Sequence, residues 1–119
     1  SKRNRAISFI DNFKSYKKIR FHRINSKRHN YYLLVAEIFN NKRDYFIEQM
    51  FNKYGIQCVI QYYPLYKYDF YIKTKNNISQ CPNTEMFYNN MVSIPFSSVL
   101  TAAQVAYIMS SCAKVLKSI

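Results

Sequence analysis

The sequence contains a single glycine, Gly55, among 119 residues. Average usage of about seven per cent would give roughly eight. A loop that cradles a phosphate on backbone N–H groups needs several residues without a Cβ atom, and the chain has neither a G-x-G-x-x-G turn nor a Walker loop. The scarcity of glycine therefore excludes nucleotide binding through these two motifs.

Motifs for catalysis and metal binding are also missing. The chain has three cysteines, Cys58, Cys81 and Cys112, and no C-x-x-C pair, which indicates neither a disulfide framework nor a zinc site. There is no nucleophile elbow and no H-E-x-x-H sequence. His22 and His29 have no cysteine or carboxylate nearby in the sequence, which favours solvated loop residues over ligands. We therefore expect buried, reduced thiols, no metal and no catalytic residue.

Long apolar segments are absent as well. The longest apolar run, residues 31–36, is far too short to span a membrane, and the N-terminus lacks the apolar core of a signal peptide. These features and the reduced thiols indicate a cytoplasmic protein with no membrane partner. Hydrophobic residues make up 49% of the chain, which excludes disorder, and the length fits one domain. A chain that begins with Ser1 instead of methionine is expected to be a fragment.

Positive charge is abundant and lies mainly near the N-terminus. The net charge is +12, and residues 1–30 hold ten lysines and arginines against one acid, Asp11. Such a segment can bind a phosphate backbone or an anionic membrane surface, or it can form the solvated face of a helix. These interpretations stay open at this point.

Hydrophobic periodicity predicts two helices in the first half of the chain. The first covers residues of about 4–18 and has a cationic outer face. The second begins after Asn40 or Asn41, which can serve as N-caps. It is expected to end at Gly55, where a left-handed residue would close the helix.

Two further helices are predicted near the C-terminus. A short one begins at Asn83 or Thr84 and ends at Asn89. The last helix begins after Thr101, which can form a capping box with Gln104.

Three segments have the pattern of β-strands. Residues 31–39 are almost continuously apolar, as expected for a strand covered on both faces. Residues 57–63 alternate and end at Pro64, and residues 91–96 are confined by Pro95 to a sheet edge or a strand end. The element order predicts an α+β domain in which helices pack on one face of a three-stranded sheet.

Aromatic residues are concentrated where the second predicted strand enters a long connection at 65–80. Tyrosine rings at a strand end can stack on a sugar or a base while their hydroxyls bond its polar edge. The alternative is a hydrophobic lid over the helices. Basic and aromatic residues also suit single-stranded nucleic acid, but here the two kinds of residue lie far apart in the chain. The six aromatic residues are Tyr62, Tyr63, Tyr66, Tyr68, Phe70 and Tyr71.

Four sequence blocks resemble the DegT-type nucleotide-sugar aminotransferases. Residues 55–71, GIQCVIQYYPLYKYDFY, resemble that family's GI-x-x-x-VHY-x-PLH-x-x-P-YY segment. Residues 81–96, CPNTEMFYNNMVSIPF, resemble its CPNAE-x-FY block and the S-[LI]-P-[LF] strand that follows. Leu100 and Thr101 are similar to the start of its final L-T-x-x-x-V, and RHNYY at 28–32 is similar to its S-x-H-x-x-Y. The blocks keep the family's order over about residues 3–118, and they look most like the branch that makes the 4-amino sugar precursor of pseudaminic acid.

The resemblance implies a fold type I pyridoxal-phosphate enzyme that moves an amino group from glutamate to a keto nucleotide-linked deoxysugar. Residues 1–119 would form its C-terminal small domain, with a basic linking helix and loop at 1–30 and an α/β core at 31–119. In this family the Schiff-base lysine and the phosphate site belong to a large N-terminal domain. We therefore expect pyridoxal 5'-phosphate in the full-length enzyme, none bound by this domain alone, and no transamination by it. The full enzyme is expected to be a homodimer.

The resemblance also implies four substrate-binding residues. Gln61 and Tyr66 stand where family members often have histidine, and Tyr62 and His29 match a tyrosine and a histidine of the family's blocks. A neutral amide at position 61 cannot shuttle a proton, but it can hydrogen-bond a hydroxyl, phosphate or carboxylate. Two other functions remain as alternatives, a basic nucleic-acid-binding domain and a non-catalytic structural remnant.

Overall fold

The structure is a computed structural model that describes residues 2–22, 28–69 and 81–119. Phe70, Tyr71 and the rest of the predicted connection up to residue 80 lie outside the described residues, as does the middle of the predicted loop at 22–30. The described elements are four α-helices, three strands and a 3-10 turn. In chain order they are α1 (Lys2–Asn12), β1 (Ile19–Phe21), β2 (Leu34–Ile38), α2 (Arg43–Tyr54), the 3-10 turn (Leu65–Lys67), α3 (Pro82–Asn90), β3 (Met91–Ile94) and α4 (Ala102–Lys117).

The three strands form one antiparallel sheet in the order β1-β2-β3. The register places Ala36, in the middle of β2, opposite Phe21 of β1 and Val92 of β3. The predicted α+β class and three-stranded sheet are thereby confirmed. The strand predicted at 91–96 is present over residues 91–94: β3 stops at Ile94, directly before Pro95, and lies at the edge of the described sheet, as Pro95 predicted.

One predicted strand is wrong and one strand was missed. Within residues 57–63, Val59 alone pairs with the sheet, through a bridge to Ser93 whose two N–H···O distances are 3.1 and 2.7 Å. The backbone turns left-handed at Tyr62, with a φ of 68°, so an extended strand cannot continue. The strand that the sequence did not predict is β1, an edge strand of three residues that lies outside every predicted element.

Local sequence signals predicted the end of α2 and the start of α4, but not the start of α2 or the end of α1. Gly55 ends α2 with a φ of 66°, and Thr101 and Gln104 form the predicted capping box at the start of α4. The prediction that Asn40 or Asn41 caps α2 is wrong, because Lys42 is the N-cap residue. Asn40 and Asn41 lie directly before it in a turn and adopt left-handed backbone angles, which asparagine tolerates. α1 ends at Asn12, well before the predicted residue 18, and turns follow it.

The core lies between the sheet and helices α1, α2 and α4. Alternate residues of β2 are buried, and those between them are half-buried, so one face of β2 is fully covered and the other partly. Phe9 of α1 packs edge-on against Phe21 of β1, with ring centroids 5.6 Å apart. The fully buried side chains with the largest volumes are Phe9, Phe46, Leu34, Ile38, Met50, Leu116 and Val92.

The three cysteines are free of disulfide bonds. Cys58 and Cys112 are buried, as predicted, whereas Cys81 at the start of α3 is half-buried. Burial raises the pKa of Cys58 to about 12 from an ordinary value of 9.0. Burial also raises the pKa of Cys112, and the neighbouring Cys58 adds to the effect.

These buried thiols make the stability of the fold depend on pH under alkaline conditions. A thiol whose pKa is higher in the folded state stabilises the fold fully below its unfolded pKa, and this contribution is lost as the pH rises through the folded value. We expect the free energy of unfolding to fall between pH 9.0 and about 12, as measured by urea denaturation. The fall should be smaller in Cys58→Ala, and an equal fall in both proteins would contradict the assignment.

Candidate functional site

A cavity of about 540 Å³ opens between the start of β2, helix α3 and the segment that follows Val59. Three of the four predicted substrate residues, His29, Gln61 and Tyr62, line this cavity. His29 and Tyr62 are 33 positions apart in the chain, and it is the fold that places them at the same cavity. The fourth predicted residue, Tyr66, is not among the lining residues.

Two tyrosines of the cavity have left-handed backbone conformations. The φ angles are 50° at Tyr31 and 68° at Tyr62, and both residues line the same cavity. Such angles are uncommon for bulky side chains, and they persist where the surrounding structure fixes them, often at ligand sites. Tyr31 is 5% exposed and belongs to the core, whereas Tyr62 is 79% exposed.

His29 supports the turn that places Tyr31 at the cavity. Its Nδ1 atom accepts a hydrogen bond from the backbone N–H of Tyr31 at 3.1 Å, and the two rings meet edge-on at 4.3 Å. An Nδ1 that accepts is unprotonated, so the proton of the neutral imidazole is on Nε2. His29 therefore orders the 29–32 segment and presents an N–H donor on its other ring nitrogen.

Gln61 has an unsatisfied polar atom at the cavity. Its Oε1 atom is buried and has no hydrogen-bond partner among the described residues. A buried acceptor without a partner costs about 1–3 kcal/mol, and native structures leave few of them. Gln61 lines the cavity, but Oε1 itself is closed off from solvent, so a bound molecule reaches this oxygen only if the side chain turns.

Tyr66 lies in the 3-10 turn, on the side of α3 that carries Glu85. Burial and the negative charge of Glu85 both raise the pKa of the Tyr66 phenol. The structure therefore separates Tyr66 from the other three predicted residues, and its role as a substrate contact stays a prediction.

Contacts between the 61–68 segment and α3 fix one wall of the cavity. The Nζ of Lys67 lies 3.0 Å from Oε1 of Glu85 and 5.5 Å from the ring centre of Tyr88. The ring of Tyr63 meets those of Tyr88 and Tyr68 edge-on, at 5.8 and 5.2 Å. These contacts hold the segment that carries Gln61 against α3.

Arg43, the first residue of α2, holds the C-terminal end of α3. Its Nη1 donates to the backbone oxygens of Tyr88 and Met91 at 2.7 and 3.1 Å, and its Nε lies 2.7 Å from Oδ1 of Asp44. The Arg43 side chain is 11% exposed. Because Tyr88 and Met91 line the cavity, Arg43 sets the position of this wall without contacting the cavity itself.

Sequence reasoning missed the residues that α3 and β3 contribute. Phe87, Tyr88 and Met91 line the cavity, but no site role was predicted for any of them. A signal was present, since Phe87 and Tyr88 form the FY pair of the CPNTEMFY block. Arg43 had no such signal, because its two acceptors lie 45 and 48 residues away.

The described lining of the cavity lacks the groups that pyridoxal phosphate needs. The cofactor needs a lysine amine, a carboxylate for its ring nitrogen and donors for its phosphate. Within the described part of the chain, the lining includes no lysine, arginine, aspartate or glutamate. The cavity is therefore suited to a different molecule or to a different part of the substrate.

No group of three or more metal-ligating side chains occurs in the described ranges. No helix in that part of the chain has the length and apolar character needed to cross a bilayer.

The α+β fold agrees with the comparison of the sequence with known families. Residues 1–113 match the DegT/DnrJ/EryC1/StrS aminotransferase family. The chain belongs to this family, and the family predicted from the four sequence blocks is confirmed. A comparison with curated proteins finds no match.

Solved structures of aminotransferases have the same fold. TlmJ from Streptoalloteichus hindustanus superposes with a TM-score of 0.85 at 16% identity, over 98% of this chain and 31% of TlmJ. PseC from Helicobacter pylori, an aminotransferase involved in the biosynthesis of pseudoaminic acid, gives 0.84 at 21%, over 99% and 32%. DesV from S. venezuelae, in complex with a ketimine intermediate, gives 0.86 at 14%, over 99% and 32%. The chain thus spans about a third of the length of these proteins, and it has the fold of that third.

Proposed function

We propose that this chain is the small domain of a pyridoxal-phosphate-dependent sugar aminotransferase and holds part of the sugar substrate. The proposed domain covers residues 1–119, with the linking segment at 1–30 and the α/β core at 31–119. The observation that carries the proposal is the cavity that His29, Gln61 and Tyr62 line together. Family membership supports the reaction class.

In the proposed enzyme the residues of this chain bind and orient the substrate. The cofactor, when bound by the large N-terminal domain, supplies the amino-transfer chemistry. Gln61 hydrogen-bonds the substrate through its side-chain amide once the side chain turns toward the cavity, and the buried Tyr31 forms part of the cavity wall. A neutral amide neither gains nor loses a proton at ordinary pH, so proton transfer falls to other residues of the enzyme.

The remaining parts of the proposal concern partners. The amino acceptor is a keto nucleotide-linked deoxysugar, glutamate is the amino donor, and the full enzyme is a cytoplasmic homodimer. The presence of PseC among the similar structures supports a sugar substrate. By itself the 119-residue chain is expected to bind substrate but not to catalyse transamination.

The basic N-terminal segment fits this proposal better than nucleic-acid binding. Lys14 and Arg20 pair with carboxylates at 3.2 and 2.8 Å. Arg5 and Lys18 donate to backbone oxygens close to the two ends of α4. Four of the ten basic residues in this segment thus have partners within the fold, which favours a structural role.

The proposal is tested by titrating the 119-residue protein with a nucleotide-linked deoxysugar while amide NMR shifts are recorded. We expect shifts at the cavity, including the side-chain amide of Gln61, and none at the exposed Gln57. Duplex DNA at low salt serves as a second ligand, since the nucleic-acid alternative predicts tight binding that salt weakens steeply. No response to the sugar at millimolar concentration would contradict the proposal and favour a structural remnant.

A further inference from the structure

Residues 29–32 form a turn in which two side chains each accept a hydrogen bond from the backbone N–H two residues ahead. Nδ1 of His29 accepts from Tyr31 at 3.1 Å. Oδ1 of Asn30 accepts from Tyr32 at 3.0 Å. An amide keeps its acceptor at every ordinary pH, whereas an imidazole loses its acceptor when it takes up a proton. We propose that His29 makes the cavity wall at Tyr31 sensitive to pH: the neutral imidazole closes the turn, and acid loosens it.

The hydrogen bond to Tyr31 requires a neutral imidazole. A ring nitrogen accepts only while it carries no proton, and a protonated imidazole carries one on each nitrogen. Turning the ring over cannot restore an acceptor, so the bond to the N–H of Tyr31 is lost whichever nitrogen faces it. Histidine is the side chain that ordinarily changes charge between pH 5 and 8. His29 is half-buried, so solvent protons reach it.

The backbone of Tyr31 depends on this support. Its φ angle is 50°, which is unfavourable for a bulky side chain and persists only where surrounding contacts fix it. The contacts here are the bond to Nδ1 of His29, the edge-on meeting of the two rings at 4.3 Å, and the burial of Tyr31 to 5% exposure. Losing the first of them lets the turn open more often. Because Tyr31 lines the cavity, this part of the wall is firmer at neutral pH than in acid.

Most other groups close to the turn keep one charge state over this range of pH. Arg28 precedes His29 in the chain, and Nζ of Lys2 in α1 lies 5.5 Å from the ring centre of Tyr32. The tyrosines of the described lining are Tyr31, Tyr32, Tyr62 and Tyr88. Lysine, arginine and tyrosine ordinarily have the same charge at pH 5 and at pH 8. His22 is different, since it lines the same cavity and can also take up a proton, so a test has to separate the two histidines.

Hydrogen exchange of the Tyr31 amide in the 119-residue protein tests the inference between pH 8 and pH 5. Protection factors are compared, because they correct for the pH dependence of exchange in an unfolded chain. The protection factor of Tyr31 should fall about two- to tenfold in acid, the usual contribution of one hydrogen bond. Ala36, which pairs with Val92 in the middle of β2, reports global stability. A fall of equal size at Tyr31 and Ala36 would be a general loss of stability and would overturn the inference.

His29→Asn is the matched variant. Oδ1 of asparagine is the same number of bonds from the backbone as Nδ1 of histidine, and asparagine often bonds the backbone two residues ahead, as Asn30 does in this turn. The variant should keep the turn closed and remove its pH dependence. His29→Ala has no acceptor and should give the low protection at both pH values, whereas His22→Asn should behave like the parent chain. A pH dependence that persists in His29→Asn, or that disappears in His22→Asn, would contradict the assignment to His29.

The nitrogen chemical shifts of the His29 imidazole give a readout that does not depend on exchange. At pH 8 the Nδ1 atom should be unprotonated and Nε2 should carry the proton, and at pH 5 both should be protonated. The amide of Tyr31 should shift in the same titration. A proton on Nδ1 at pH 8 would overturn the inference, because the turn would then lack its acceptor. None of these measurements uses a ligand, so their outcome is independent of the proposed function.

Discussion

Replacing Phe46 by alanine should lower the free energy of unfolding by about 3–5 kcal/mol, the usual cost of removing a buried phenyl ring. Phe46 lies in α2, is 0% exposed and belongs to the single core cluster. Its removal takes away apolar area and leaves a cavity that the surrounding side chains cannot fill completely. Domains of this size have total stabilities of about 5–15 kcal/mol, so a measurable fraction of the variant should be unfolded.

Urea denaturation monitored by circular dichroism measures this effect. Phe51→Ala is the matched control, because Phe51 lies in the same helix and is 57% exposed. Its effect should stay within about 0.5 kcal/mol, as for most surface substitutions. Equal losses in the two variants would contradict the orientation of α2 against the sheet.

Replacing Arg43 by methionine should lower the free energy of unfolding by about 2–4 kcal/mol and should also loosen the cavity. Hydrogen bonds from charged donors contribute about 1.5–3 kcal/mol each, and Arg43 donates two to the end of α3. Methionine keeps the apolar stem of the side chain but has no donor. The oxygens of Tyr88 and Met91 then lose a partner, and α3 should fray at its C-terminal end.

Hydrogen exchange distinguishes this local loosening from a general loss of stability. In Arg43→Met the amides near the end of α3 should exchange faster than the change in global stability explains. Arg43→Lys should not restore them, because a single ammonium group cannot reproduce the fork of the guanidinium. Lys53→Met, at an exposed position in the last turn of α2, is the control and should leave α3 unchanged.

Helix ends were predictable where one or two neighbouring residues decide them. Gly55 provides the left-handed conformation that closes α2, and Thr101 and Gln104 satisfy each other's backbone N–H groups. The start of α2 was not predictable in this way. Asn40 and Asn41 have the chemistry of N-caps, but the chain uses their tolerance of left-handed angles for a turn.

Strands were predictable only where the sequence is strongly apolar. β2 and β3 lie within predicted strands, because runs of buried residues identify them. β1 consists of Ile19, Arg20 and Phe21 and is defined by its pairing with β2. No local sequence pattern reveals this pairing. The alternation predicted at 57–63 does not hold in the structure, because Cys58 is buried whereas Ile60 and Tyr62 of the same predicted face are exposed, and Val59 alone pairs with the sheet.

Only part of the composition of the candidate site, and none of its arrangement, was predictable from the sequence. The resemblance pointed to His29, Gln61 and Tyr62, and the fold brings these three together. It could not show that Tyr66 faces Glu85 instead. Nor could it show the support from Arg43, because such contacts depend on how α2 and α3 meet in space.

The bridge between Val59 and Ser93 has a mechanical consequence for the cavity. The segment that carries Gln61 and Tyr62 is joined to the sheet at one rung only, through two hydrogen bonds. Its other described anchors are the side-chain contacts of Tyr63 and Lys67 with α3. Displacing this segment breaks a few interactions and leaves the three-stranded ladder intact, so it costs a local opening rather than global unfolding. We therefore expect amides of the 60–63 segment to exchange through local opening, and those of the ladder between β2 and β3 only through global unfolding.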